Sequence, residues 1–347
     1  MIGVSAVRKS YMLRHRKWTK TLGAAVALLV IAACAGDMLL PRWLDLDREP
    51  LDEDLARKVQ SLLIEPGRVP PVIVAGDSRA ERQVIPAVIR EELGVDAVNV
   101  AVAAGELVSV AKVLKRHALS EKKPLLIISA TAFQINDGAT DHDAISLDCL
   151  IAMRWIDQIA IFREKLPEMA YRKLRMYKRC LAVKCGLSSV RTKHFAEDGF
   201  VGIDGTLDAS GMAAHPERIQ HPWYKDLHLE GRKWRVFQSA LREIAASGSQ
   251  VLLYNGPSSP AWRQLSRDTF MDAAEEQYSR MLGREAAQYA NVHFLDFHGG
   301  WIGDFPDSMF YDIQHLNRTG AAKLTTILCG EIKRRNLLGH EPASPIH

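Results

Sequence analysis

Three features predict an α/β domain with a parallel sheet. Short, continuous apolar runs recur along the body, helical segments fall between them, and the composition supplies a core. The 347 residues are 47% hydrophobic and 25% charged, which suits a globular chain. An uninterrupted apolar run suits a strand buried on both faces, as in a parallel sheet under two layers of helices. Alternation of such strands with helices points to that layered arrangement.

The elements are predicted in order. Residues 71–75 (PVIVA) read as the first strand. A helix over 85–93 follows, with Pro86 in its first turn, where proline is tolerated. Residues 96–102 (DAVNVAV) read as the second strand, 106–119 as an amphipathic helix and 124–130 (PLLIISA) as the third strand. Residues 137–230 break the rhythm with basic, helical stretches over 144–180 and then a loop rich in Gly, Asp, His and Pro. This insertion is expected on one face of the sheet, as a cap or substrate wall. The rhythm resumes with a helix over 233–246, a strand at 250–254 (QVLLY), a helix over 268–289, a strand at 292–297 (VHFLDF) and a last helix over 318–335. The expected domains are therefore 1–41, a linker with a short helix over 42–70, and an α/β body over 71–347.

The charge is unevenly placed. Arg8, Lys9, Arg14, Arg16, Lys17 and Lys20 stand in the first twenty residues with no acid among them. Taking these six from the 45 basic residues leaves 39 against 41 acidic ones. The body thus has no basic excess of the kind nucleic-acid binding needs. After the basic run comes an apolar stretch, 21–36 (TLGAAVALLVIAACAG). Positive residues before an apolar segment read as an export signal with its N-terminus cytoplasmic. Sixteen residues is short against the roughly twenty of a spanning helix, but extension through Leu40 reaches that length. An uncleaved signal anchor in a bacterial inner membrane is the favoured expectation, with the body outside the cytoplasm. Cleavage after a small residue, or lipoprotein processing at Cys34 in Ile31-Ala32-Ala33-Cys34, are the alternatives. Cys180 and Cys185 can pair across a short loop in an oxidising compartment, or both be small hydrophobes. Neither spacing nor companion ligands suit zinc.

The chemistry-bearing residues lie at both ends of the body. Gly76-Asp77-Ser78-Arg79 stands where the first strand ends, and ligands of open α/β sheets bind at the carboxyl ends of strands. A serine hydroxyl needs a base. Asp312 and His315, three residues apart just before the last helix, can share one turn, with Asp312 orienting the imidazole toward Ser78. Either motif alone is weak; a lone Asp-x-x-His also reads as a helix start. Their pairing in this order is stronger.

With those motifs the chain resembles the SGNH (GDSL-type) hydrolase superfamily. The matching residues are Gly76-Asp77-Ser78, Gly105 after the second strand, and Asp312-x-x-His315. The resemblance implies a three-layer, flavodoxin-like α/β/α fold. It also implies Ser78 as nucleophile, His315 as base, Asp312 as its partner, and the Gly105 and Ser78 amides as oxyanion donors. The family's Gly-x-Asn-Asp block after the third strand is absent. Asn136, Thr131 or backbone amides are the candidates to replace its asparagine. A narrower likeness rests on the basic N-terminus, Asn255-Gly-Pro-Ser-Ser-Pro260, and the run from Asp312 to Gly320. It resembles membrane-anchored bacterial members that partner membrane-bound O-acyltransferases on polysaccharides. That implies acyl transfer at a carbohydrate hydroxyl, without metal or organic cofactor.

Other residues carry open alternatives. Asp77 can fix the nucleophile turn or orient the third-block loop. Arg79 can bind an acidic sugar or pair with a surface acid. Glu81 and Arg82 read as solvated charges. His194, His215, His221 and His228, with Trp223 and Tyr224, can stack on sugars or be ordinary loop residues. Asn317 can support the base's loop or cap the last helix.

Overall fold

The computed structural model describes residues 53–64, 69–117, 123–138, 195–208, 227–267, 269–298 and 305–339, with single positions at 21, 24, 149, 152, 153 and 157. The basic segment, most of the apolar stretch, the Cys180–Cys185 pair, His194, His215, His221, Trp223 and Tyr224 lie outside them. Among the described residues no helix is long and apolar enough to cross a membrane.

Five parallel strands form one sheet in the order β2-β1-β3-β4-β5. In chain order the elements are α1 (Glu53–Val59), β1 (Val72–Ala75), α2 (Ser78–Gln83), α3 (Pro86–Leu93), β2 (Ala97–Asn99), α4 (Leu107–His117), β3 (Leu125–Ser129), α5 (Arg232–Ala246), β4 (Val251–Asn255), α6 (Pro260–Ser266), α7 (Phe270–Ala286), β5 (Val292–Asp296) and α8 (Arg318–Arg334). The chain moves outward from β1 to β2, then crosses back to β3 on the other side. That reversal opens a crevice at the carboxyl ends of β1 and β3, where ligands of such sheets sit.

The apolar runs are continuous because both faces are covered. Ile73, Leu126, Leu253 and Val251 face one core with α1, α4, α5, α6 and α7. Val72, Val74, Leu125, Ile127 and Leu252 face the other with α2, α3 and α8. Every residue of β1, β3 and β4 is buried. Alternate residues of one strand therefore serve opposite cores, as the period of two requires.

Three boundaries differ from expectation. The second strand stops at Asn99, because its carboxamide turns back to donate to the carbonyls of Ala80 (2.8 Å) and Val84 (2.9 Å). The helix expected over 268–289 is preceded by a separate one, α6, capped by Ser259 with Pro260 in its first turn. Residues 53–64 are no free linker. Leu55, Val59, Leu62 and Leu63 are buried in the larger core, so this stretch belongs to the body.

Candidate active site

The turn after β1 is built around Gly76 and Asp77. Gly76 has φ +120°, a conformation that favours glycine. A Cβ there would stand 2.5 Å from Ser129 Oγ and 2.8 Å from the Ser129 carbonyl. Asp77 is fully buried and caps α2 by accepting from the Arg79 amide (3.0 Å). It also accepts from Ser129 Oγ (2.7 Å), Thr131 Oγ1 (2.6 Å) and Gln134 Nε2 (3.2 Å). Both roles foreseen for Asp77 thus fall on one carboxylate: it shapes the turn and ties it to the loop after β3.

Ser78 opens α2, with its Oγ 2.8 Å from His315 Nε2. His315 Nδ1 lies 2.8 Å from Asp312 Oδ2 and 3.0 Å from Oδ1. An ionised carboxylate only accepts, so it fixes the proton on Nδ1. Nε2 is then left to accept from the serine hydroxyl. Asp312 and His315 sit in a turn rather than on a helix. An antiparallel bridge between Phe310 and Leu316 closes the turn. Inside it Asp312 Oδ1 accepts from the amides of Gln314 (2.9 Å) and His315 (2.8 Å). Burial alone would raise the Asp312 carboxyl. The His315 hydrogen bond and charge, with the two amides, outweigh it and hold the group below its ordinary value.

A carboxyl held low contributes stability above its ordinary value of 3.8. That contribution is lost as pH falls through the depressed folded value. The thermal stability advantage of the wild-type chain over Asp312→Asn is therefore expected to be complete near neutrality and to vanish at strongly acid pH. Melting curves across the acid range check this; an advantage independent of pH would contradict it.

Three elements hold the two halves in register. Gln83, fully buried at the end of α2, donates from Nε2 to the Gln314 carbonyl (2.6 Å). Thr325 on α8 donates to Ala321 (2.8 Å) and accepts from the Ile85 amide (3.0 Å). Asn317 does both things expected of it. Its Oδ1 accepts from the Gly320 amide, capping α8, and its Nδ2 donates to the carbonyls of Gly205 and Ser308.

Several expected roles do not match the observed contacts. The Gly105 amide donates to the Val102 carbonyl at 2.9 Å, so its hydrogen is already used. The glycine is needed for space instead: a Cβ there would stand 2.3 Å from the Gly76 carbonyl. Thr131 gives its one hydroxyl proton to Asp77 and is a brace for the turn. Asn136 Oδ1 accepts from the amides of His228 (2.8 Å) and Gly138 (3.0 Å), anchoring the two ends of the insertion; these bonds engage the oxygen and not the Nδ2 group that an oxyanion donor would use. Its neighbour Asp137 accepts from the amides of Arg232 and Lys233 at the start of α5. Arg79 neither faces a substrate nor pairs at the surface. It is 2% exposed, and its Nη1 donates to Asn255 Oδ1 (3.0 Å) and the Gly256 carbonyl (3.2 Å). Inside, burial pushes the Glu275 carboxyl up, and the Arg79 and His298 charges oppose that shift. Glu81 is buried and paired with Lys58 (3.2 Å), not solvated.

The sequence reading missed Ser129, Gln83, Asn99 and Lys58. Ser129 and Asn99 each interrupt an otherwise apolar strand run near its carboxyl end, the one signal that marked them. Among the described residues no group of three or more His, Cys, Asp and Glu side chains is arranged to hold a metal ion.

No protein-family model matches the chain, and no curated protein matches it. Among solved structures it is similar to a provisionally assigned platelet activating factor from Streptococcus pneumonia. The identity is 12% and the TM-score 0.38, over 86% of this chain and 96% of that one.

Proposed function

We propose that this chain is a serine-based acyltransferase or esterase of the SGNH type, with a three-layer, flavodoxin-like body. Its substrates would be O-acyl groups, acetyl foremost, of an envelope or secreted glycan. The observation that carries the reading is the continuous path from Asp312 through His315 to Ser78 Oγ, with links of 2.8 Å and 2.8 Å. Three such groups in donor-acceptor order have little use in a binding module, whereas a nucleophile, its base and the base's orienter need that order.

In this mechanism Ser78 Oγ attacks the acyl carbonyl and His315 Nε2 takes its proton. The donor's C–O bond then breaks, and His315 protonates the leaving oxygen. The acyl group now rests on Ser78 as an ester. An acceptor hydroxyl, or water, attacks that ester, His315 takes the incoming proton, and it returns the proton to Ser78 Oγ. The Ser78 amide, which has no partner among the described residues, is the donor proposed for the oxyanion. Transfer and hydrolysis differ in whether water reaches the ester.

The membrane proposals rest on sequence. The six basic residues and the apolar stretch after them support a signal anchor, and the resemblance supports a membrane-bound O-acyltransferase as partner. The insertion over 137–230 is the proposed cap.

A non-catalytic scaffold or glycan-binding partner is the second reading. It is favoured by the commitment of the Gly105 amide and the Thr131 hydroxyl to internal partners, which leaves few oxyanion donors. Mass spectrometry after incubation with 4-nitrophenyl acetate separates the two. The proposal expects one acetyl group on Ser78, absent from Ser78→Ala. A folded wild-type chain that gains no acetyl and turns over no ester would favour the scaffold.

A further inference from the structure

Lys58 lies on α1, well before the nucleophile in sequence, yet its ammonium reaches three segments around the site. It donates to Glu81 Oε1 on α2 (3.2 Å), to the Ala101 carbonyl after β2 (2.7 Å) and to the Gly199 carbonyl in the 195–201 loop (2.8 Å). An ammonium has three protons, and here each goes to a different segment. Lys58 is 2% exposed and Glu81 6%; the Phe195 ring lies 5.5 Å from the Lys58 charge. The same three segments are cross-tied. The Asn99 amide donates to the Asp198 carbonyl (2.8 Å), and the Val201 amide donates to the Glu81 carbonyl (3.2 Å). Asn99 Nδ2 reaches the α2 carbonyls already described.

A buried ion pair is a poor device for stability alone, since desolvating two charges offsets their attraction and an apolar pair of similar volume can replace it. What an apolar pair cannot do is fix direction. Three charge-assisted hydrogen bonds from one atom set where α2, the loop after β2 and the 195–201 loop stand relative to each other. Glu81 is three residues after Ser78, one turn along the same short helix.

We infer that Lys58, with Glu81, is a positioning pair for Ser78, so that the stretch 53–64 is part of the support of the active site. The inference rests on the proposed role of Ser78 for its kinetic readout and on backbone protection for its structural one.

The test uses the full chain, as Lys58→Met and as the paired variant Lys58→Met/Glu81→Met. The single change leaves a buried carboxylate without its cation and is expected to melt early. The paired change removes both charges and is expected to melt near the wild-type temperature. Its kcat with 4-nitrophenyl acetate is nonetheless expected to fall about 10- to 100-fold, the scale of a displaced reacting group, with KM unchanged. Amide hydrogen exchange over 78–83 and 100–105 is expected to quicken in the same protein. Wild-type kcat and wild-type exchange in the paired variant would overturn the inference. So would a loss of kcat that merely follows the fraction of unfolded protein. If the wild-type chain shows no turnover, the proposed function falls and exchange decides alone: faster exchange over 78–83 in the paired variant upholds the positioning role, and unchanged exchange ends it.

Discussion

Replacing His315 with alanine is expected to lower acyl turnover by on the order of a million-fold, with the chain still folded. In serine hydrolases whose nucleophile and base act as one unit, loss of either member costs about that much in kcat. Here the two atoms are 2.8 Å apart, close enough for proton transfer during attack. The backbone around His315 does not depend on the imidazole. The Tyr311 amide donates to the His315 carbonyl at 2.8 Å, and the His315 amide donates to Asp312; alanine keeps both. The effects should also fail to add: Ser78→Ala, His315→Ala and the double variant should share one residual rate. Steady-state kinetics on the three proteins measure this. Turnover in His315→Ala within tenfold of wild type would remove the proton shuttle from the mechanism.

The sheet was legible because burial on both faces leaves an unmistakable mark. Runs such as VIVA and LLIIS have no polar alternation for a reader to misplace, and the strands observed lie inside the spans expected, except that β4 runs one residue further, to Asn255. Boundaries were less legible where a side chain, rather than a propensity, ends the element. Asn99 ends β2 by bonding to α2, a partner some twenty residues away in sequence. Ser259 and Pro260 start α6 with a cap and a proline in its first turn, a local signal that the reading passed over.

At the site, residue identity was easier to read than residue commitment. Ser78, Asp312 and His315 are named by type and order, and they do lie within hydrogen-bond reach of one another. Which amide or hydroxyl is still available is a three-dimensional question. Gly105 and Thr131 look like donors in sequence, but each has spent its hydrogen on an internal acceptor. Charge type misled in the same way. Glu81 read as a solvated charge and Arg79 as a sugar ligand or a partner of a surface acid, and Lys58 drew no reading, because such side chains are seldom fully buried without partners. Here each has its partners inside. Lys58 did carry a trace of this, since it falls on the apolar stripe of Leu55, Val59 and Leu62.

Replacing Asp77 with alanine is expected to destabilise the fold by about 4 kcal/mol, counting buried donors left without an acceptor at roughly 1–3 kcal/mol each and allowing the hydroxyls to turn elsewhere. Four donors now converge on this one buried carboxylate: the Arg79 amide, Ser129 Oγ, Thr131 Oγ1 and Gln134 Nε2. Stability of ordinary domains is about 5–15 kcal/mol, so the variant should stay folded only narrowly. Asp77→Asn separates charge from shape. Its oxygen can still cap α2, but its NH2 must face groups that now donate. Thr131 can turn to accept from that NH2, and the Gln134 carboxamide can flip to offer it Oε1, which has no partner among the described residues; what is lost is the charge that strengthens each of these bonds. An intermediate loss of about 1–2 kcal/mol follows. Denaturant unfolding at neutral pH ranks the three proteins. The order wild type, Asp77→Asn, Asp77→Ala is expected, with acetylation of Ser78 declining in the same order because the turn that aims Ser78 is the one Asp77 braces. An Asp77→Ala chain that unfolds at the wild-type midpoint would show that the turn stands on Gly76 and the sheet alone, with the buried carboxylate no longer its brace.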